Sequence, residues 1–106
     1  MDPQIPQIPQ LTPAQVADRA EAVLLDVREA DEVAAGRIAG STHIPLGQLA
    51  ARSVELDRGR PVITVCRSGG RSSRAAQLLA AQGYDVADLA GGMTAWTADG
   101  RPVATR

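Results

Sequence analysis

The stretch "VITVCRSGGRSSRAAQLLA", residues 62–80, decides the architecture. It opens on Val62, Ile63, Thr64 and Val65, a β-branched run that follows a proline and reads as a strand. It closes on a helix predicted from about Ser72 to Gln82, in which Ala75, Leu78 and Leu79 form one apolar stripe, with Gly83 as a natural stop. Between them lie Cys66, the single cysteine of the chain, and a loop of two glycines and two arginines. Strand, tight turn and helix in direct succession make the core of a parallel α/β unit.

The rest of the chain extends that unit. "LTPAQVADRA" (11–20) has Thr12 as N-cap, Pro13 at the first helical position and Gln15 to complete a capping box, which predicts a helix from about Pro13 to Ala20. "AVLLDVR" (22–28) is a continuous apolar run suited to a strand buried on both faces. "EADEVAAG" (29–36) reads as a brief helix stopped by Gly36, "STHIPL" (41–46) as a short strand, and "GQLAARSVEL" (47–56) as helical. "YDVADLAG" (84–91) gives a last strand and "GMTAWTADG" (92–100) a last helix. The expectation is an α/β fold: a mostly parallel central sheet of about five strands flanked by helices on both faces, with right-handed crossovers. Residues 1–10, a proline-glutamine repeat, read as an extended arm or edge segment, residues 11–103 as one domain, and residues 104–106 as a tail.

Composition narrows the function. Eleven basic residues nearly cancel twelve acidic ones, so no nucleic-acid surface is expected. With one cysteine and one histidine, His43, neither an internal disulfide nor a structural metal site is expected. No stretch approaches the about 20 apolar residues of a membrane span, and the N-terminus lacks the pattern of a signal peptide. A cytoplasmic setting suits a free thiol.

Cys66 ends the central strand on the sheet edge where open α/β folds bind ligands. The following "RSGGRS" leads into a helix. Gly69 and Gly70 can take positive φ, so the turn can aim several amides into one anion nest, beside the unsatisfied amides of the helix start. Arg67 and Arg71 add positive charge and planar donors. A thiol in such surroundings falls from about 8.5 to about 3.5–7.5 and is a thiolate at neutral pH. A nucleophilic thiolate beside an oxyanion cradle implies group transfer between an anionic donor and the cysteine.

These residues resemble the rhodanese family in its single-domain form. "CRSGGRS" is similar to that family's active-site loop. "LLDVREADEVAAGRIAGSTHIPL" is similar to its upstream signature at Asp26, Arg28, Glu32, Gly36, Ile38, Gly40, Ile44 and Pro45, and "GYDVADLAGGMTAW" to its closing segment. The resemblance covers about Leu11 to Val103. Arg37 stands where histidine is common, and Ser41 where alanine is common. The resemblance implies a thiosulfate sulfurtransferase in which Cys66 takes the outer sulfur of a small anionic donor, becomes a persulfide, and passes the sulfur to a thiophilic acceptor such as cyanide or a thiol, small-molecule or protein. Amides of Arg67, Ser68, Gly69, Gly70, Arg71 and Ser72 would cradle the persulfide, Arg67 and Arg71 would orient the donor, and no cofactor is implied. A persulfide carrier serving a protein partner is the alternative. A phosphatase or arsenate reductase fits less well, because four residues separate Cys66 from Arg71 where cysteine phosphatases have five. Asp26 and Arg28 are expected to form an ion-pair network with Glu32, His43 to pack or hydrogen bond within "THIP", and Trp96 to be a core or rim residue. Arg74 reads equally as a solvated or a steering charge.

Overall fold

A computed structural model describes residues 7–105. Among the described residues five strands form one sheet: β1 (Gln10–Leu11), β2 (Val23–Asp26), β3 (Thr42–His43), β4 (Val62–Val65) and β5 (Val86–Leu89). Their order is β1-β5-β4-β2-β3 and every pairing is parallel. Helices α1 (Pro13–Ala17), α2 (Ala30–Ala35), α3 (Leu46–Arg52), α4 (Gly70–Ala81) and α5 (Gly92–Ala98) connect and cover them. The fold class read from the sequence is the one observed.

Strand β4 lies in the middle, its Val62 opposite Val23 of β2 and Val86 of β5. All four of its residues are buried. Side chains alternate across a strand, so Val62 and Cys66 enter one core with Leu49, Ala75 and Leu79 from α3 and α4. Ile63 and Val65 enter the other, with Val16 of α1 and Met93 and Trp96 of α5. Burying each aliphatic side chain of β4 stabilises the fold by about 1.5–3 kcal/mol. Thr64 points toward the first core, where its hydroxyl donates to the buried Asp88 carboxylate at 3.0 Å.

The helix expected over 13–20 ends at Ala17. Its capping box forms as read: the Gln15 amide donates to Thr12 Oγ1, and the Thr12 amide to Gln15 Oε1. Beyond Ala17, however, Asp18, Arg19, Ala20 and Glu21 offer nothing to the core, and only Val16 of α1 is buried. The chain turns instead, the Ala22 amide donating to Arg19 O, and enters β2. Helix α4 begins two residues earlier than expected, at Gly70, and it is Leu78, of its apolar stripe, that stays only partly buried. It ends on Gly83, φ +90°, with the Gly83 amide on Ala80 O and the Tyr84 amide on Leu79 O. These are the paired bonds of a Schellman motif, which need the left-handed residue.

Both ends of the described stretch are tied in. The Asp88 amide donates to Pro9 O, and Ile8 packs on the first core. Ala104 exchanges two backbone hydrogen bonds, each 2.7 Å, with Arg37. The arm read over residues 1–10 is described only from Gln7 onward. Residues 1–6, and Arg106 of the tail, lie outside the described residues.

Candidate active site

Cys66 is the first residue beyond β4, at the carboxyl edge of the sheet, and is 1% exposed. The chain reverses at once. Gly69 takes φ +122°, the left-handed region that glycine enters without penalty, and serves as N-cap of α4. This reversal brings the Gly69 amide to 3.0 Å from Cys66 Sγ, to which it donates. Gly70, expected to share the positive φ, does not, because it is already the first residue of α4. Nothing lies within 4 Å of where a Cβ on either glycine would stand, so the turn faces open space.

Burial pushes the Cys66 thiol up, since a charged sulfur loses water. The Ser72 hydroxyl and amide and the amides of Gly69 and Ser68 outweigh it and hold the thiol below its ordinary 9.0. Ser72, expected either to meet an anion or to cap the helix, leaves the cap to Gly69 and lies buried in the first turn. Its hydroxyl also reaches Gly69 O at 3.3 Å. One hydroxyl proton serves one acceptor at a time, and an ionised sulfur is the stronger acceptor.

The two loop arginines differ. Arg67 is exposed and makes no ion pair among the described residues. Arg71 donates through both terminal amines to Glu32 of α2, Nη1 to Oε1 at 2.6 Å and Nη2 to Oε2 at 2.8 Å. This contact lowers the Glu32 carboxyl to about 2 and holds Arg71 above its ordinary value. Arg74 is exposed on α4.

The network expected to join Asp26, Arg28 and Glu32 is different in one partner. The buried Arg28 guanidinium grips the Asp26 carboxylate, Nη2 to Oδ2 at 2.7 Å and Nε to Oδ1 at 2.9 Å. It then donates to Gly36 O at 2.8 Å and reaches only the backbone oxygen of Glu32, at 3.4 Å. Asp26 takes Nε and one Nη2 hydrogen of Arg28, and the Glu32 carboxylate pairs with Arg71 instead. His43 donates from Nε2 to Arg28 O at 2.7 Å, a carbonyl being able only to accept. Trp96 is buried and donates from Nε1 to Pro102 O at 2.9 Å.

Two contacts were not legible as parts of the site. The Met93 amide donates to Cys66 O at 2.8 Å, and the Thr94 amide and hydroxyl both donate to Arg67 O at 3.0 Å. Helix α5 thus begins on the loop. The glycine pair Gly91–Gly92 in the closing segment is the one sequence signal that could have pointed there. A hollow of about 260 Å³ between α2 and α5 is lined by Glu32 and Thr94 but by none of residues 66–72. Among the described residues, no group of three or more His, Cys, Asp or Glu is placed to hold a metal ion, and no helix is long and apolar enough to cross a membrane.

A parallel α/β sheet whose central strand ends in a buried thiol that accepts from the Gly69 amide defines a class of domain with a cysteine at the carboxyl edge of its sheet. Its match to the rhodanese-like domain, over residues 12–99, settles which: the chain belongs to the rhodanese-like domain family. A sulfurtransferase of Allochromatium vinosum is 37% identical over 90 residues, 84% of each chain. The thiosulfate sulfurtransferase GlpE of Pseudoalteromonas translucida is 35% identical over 85 residues, 79% of this chain and 81% of that one. The crystal structure of a rhodanese-related protein from Thermoplasma volcanium superposes with a TM-score of 0.89 at 30% identity, covering 92% of this chain and 99% of that one. Relatives of these names support a role in sulfur transfer.

Proposed function

We propose that the protein is a sulfurtransferase that carries sulfur as a persulfide on Cys66, with thiosulfate or a similar small anion as donor. The observation that carries this reading is the Gly69 amide on Cys66 Sγ at 3.0 Å, in a turn that opens to solvent. The Cys66 thiolate attacks the outer sulfur of the donor. A bond forms from Sγ to that sulfur, and the bond from that sulfur to the sulfonate breaks, its electron pair leaving with sulfite. The terminal sulfur keeps the negative charge, and amides of residues 67–72 are the groups that cradle it: those of Arg67, Ser68, Gly69, Gly70, Arg71 and Ser72. A thiol or cyanide then takes the sulfur and returns Cys66 as thiolate. Arg67 draws the donor anion. Arg71, held by Glu32, keeps a positive charge beside the sulfur and ties the loop to α2. No cofactor is needed, and a reducing compartment such as the cytoplasm keeps the thiol free.

The test is intact-protein mass spectrometry after incubation with thiosulfate, without reductant, on wild type and Cys66→Ser. Gain of one sulfur atom by the wild type alone is the expected result. No gain, with Cys66 open to alkylation, would sink thiosulfate as donor, and Cys66-dependent hydrolysis of an aryl phosphate would replace the reading with a phosphatase.

A further inference from the structure

We propose that the first turn of α5 aims the loop amides at the sulfur, and that Thr94 is a positioning residue for the Cys66 thiolate. The argument starts from the peptide plane. In a trans peptide the carbonyl and the amide of the next residue point in opposite directions. Whatever holds the carbonyl therefore aims the amide. The Arg67 carbonyl is held from outside the loop by two donors on one residue, the Thr94 amide and hydroxyl, each at 3.0 Å. The amide on that same peptide belongs to Ser68, which is one of the groups that lower the Cys66 thiol. One residue earlier, the Met93 amide holds the Cys66 carbonyl at 2.8 Å. That turns the Arg67 amide away from α5.

The amides of Met93 and Thr94 are free to do this because the first amides of a helix have no acceptor within it. They reach the loop only because Gly92 lets the backbones meet. Gly92 has φ +56°, and a Cβ there would stand 2.8 Å from the Arg67 carbonyl carbon and closer still to Cys66 O. Helix α5 is thus a clamp behind the loop, and the loop's own glycines do not set the amide directions alone. The charged groups near the sulfur are Arg71 with Glu32 and Glu29 behind it, and the exposed Arg67.

The proposal rests on reading Cys66 as a functional thiolate, and its test reads the thiol without any sulfur donor. The measurement is the pH profile of Cys66 alkylation by iodoacetamide for wild type, Thr94→Val, Thr94→Ser and Gly92→Ala, with thermal melts as a control for folding. Thr94→Val keeps the side-chain shape and removes one donor. It is expected to raise the midpoint by about half a unit, while Thr94→Ser, which keeps the hydroxyl, stays at the wild-type value. Gly92→Ala, the harsher change, is expected to raise it further in whatever fraction folds. The proposal stands or falls on the gentler pair. A Thr94→Val midpoint equal to wild type, or a Thr94→Ser midpoint shifted as far as Thr94→Val, would overturn it. A wild-type midpoint at the ordinary 9.0 would instead overturn the thiolate reading itself.

Discussion

Arg71 and Glu32, 39 residues apart in the chain, meet through two parallel hydrogen bonds of 2.6 and 2.8 Å. The contact links the cysteine loop to α2 and leaves Arg67 as the loop's exposed arginine. Two consequences can be measured, one in stability and one in how anions see the loop.

For stability, the pair lowers the Glu32 carboxyl from 4.5 to about 2. A folded value below the unfolded one means that the contribution is complete above about pH 4.5 and is lost as the pH falls through about 2. Both side chains are partly exposed, 34% for Arg71 and 26% for Glu32, so screening reduces the gain. Glu32→Gln is expected to lower unfolding stability by about 1 kcal/mol at pH 7. Urea unfolding of both proteins at pH 7, 4 and 3 should show that difference shrinking with acidity. A difference constant across the three would mean the pair is not its source.

For anions, release of Arg71 by Glu32→Gln adds a free guanidinium beside the sulfur. Inhibition of Cys66 alkylation by sulfite or sulfate is expected to become about threefold stronger or more, the weight of one modest charged hydrogen bond. Inhibition equal to wild type would show that Arg71 does not face bound anions even when freed.

The hydroxyl of Ser72 is among the groups that hold the Cys66 thiol down. Ser72→Ala should raise the alkylation midpoint of Cys66 by about one unit. The wild-type thiol, lowered in the folded state, adds stability that is complete above 9.0 and is lost as the pH drops through its folded value. Chemical unfolding of wild type and Cys66→Ser across that interval checks the second statement, and parallel curves would contradict it.

Asp26 neutralises Arg28 where both are buried, at 1% and 6% exposure. Asp26→Asn leaves the buried Arg28 charge without its counter-ion and is expected to cost about 3–5 kcal/mol. In a domain of this size that lowers the melting temperature by at least about 10 °C. A fall of a degree or two would mean that Arg28 escapes to water.

Gly36 is glycine for a steric reason, since its backbone is extended. A Cβ there would come within 2.7 Å of Val103 Cγ1, on the segment that pairs Ala104 with Arg37. Gly36→Ala is expected to destabilise by about 1–2 kcal/mol, and Val103→Ala should recover most of that loss. Additive losses in the double variant would place the strain elsewhere.

Much of this was legible in the order of the residues. Strand β4, the reversal at Gly69, helix α4 and its stop at Gly83 each depend on neighbours a few positions away, and local sequence specifies such features. Cys66 at the sheet edge follows from that same short run. The error at α1 is instructive for the same reason: the capping box set where the helix starts, but its end depends on whether Asp18 to Glu21 have a core to face.

The sequence by itself determined a parallel α/β domain, the thiol that ends its central strand, and the glycine turn that brings amides back onto it. Tertiary structure decided which partners those groups received. Asp26 pairs with Arg28, two positions further along the chain at one strand end, while the Glu32 carboxylate of the next helix pairs with Arg71. Thr94 reaches Arg67 O because β5 lies beside β4 and carries α5 to the same edge. Such contacts depend on crossovers and on which strands are adjacent, and no local pattern of residue types encodes that.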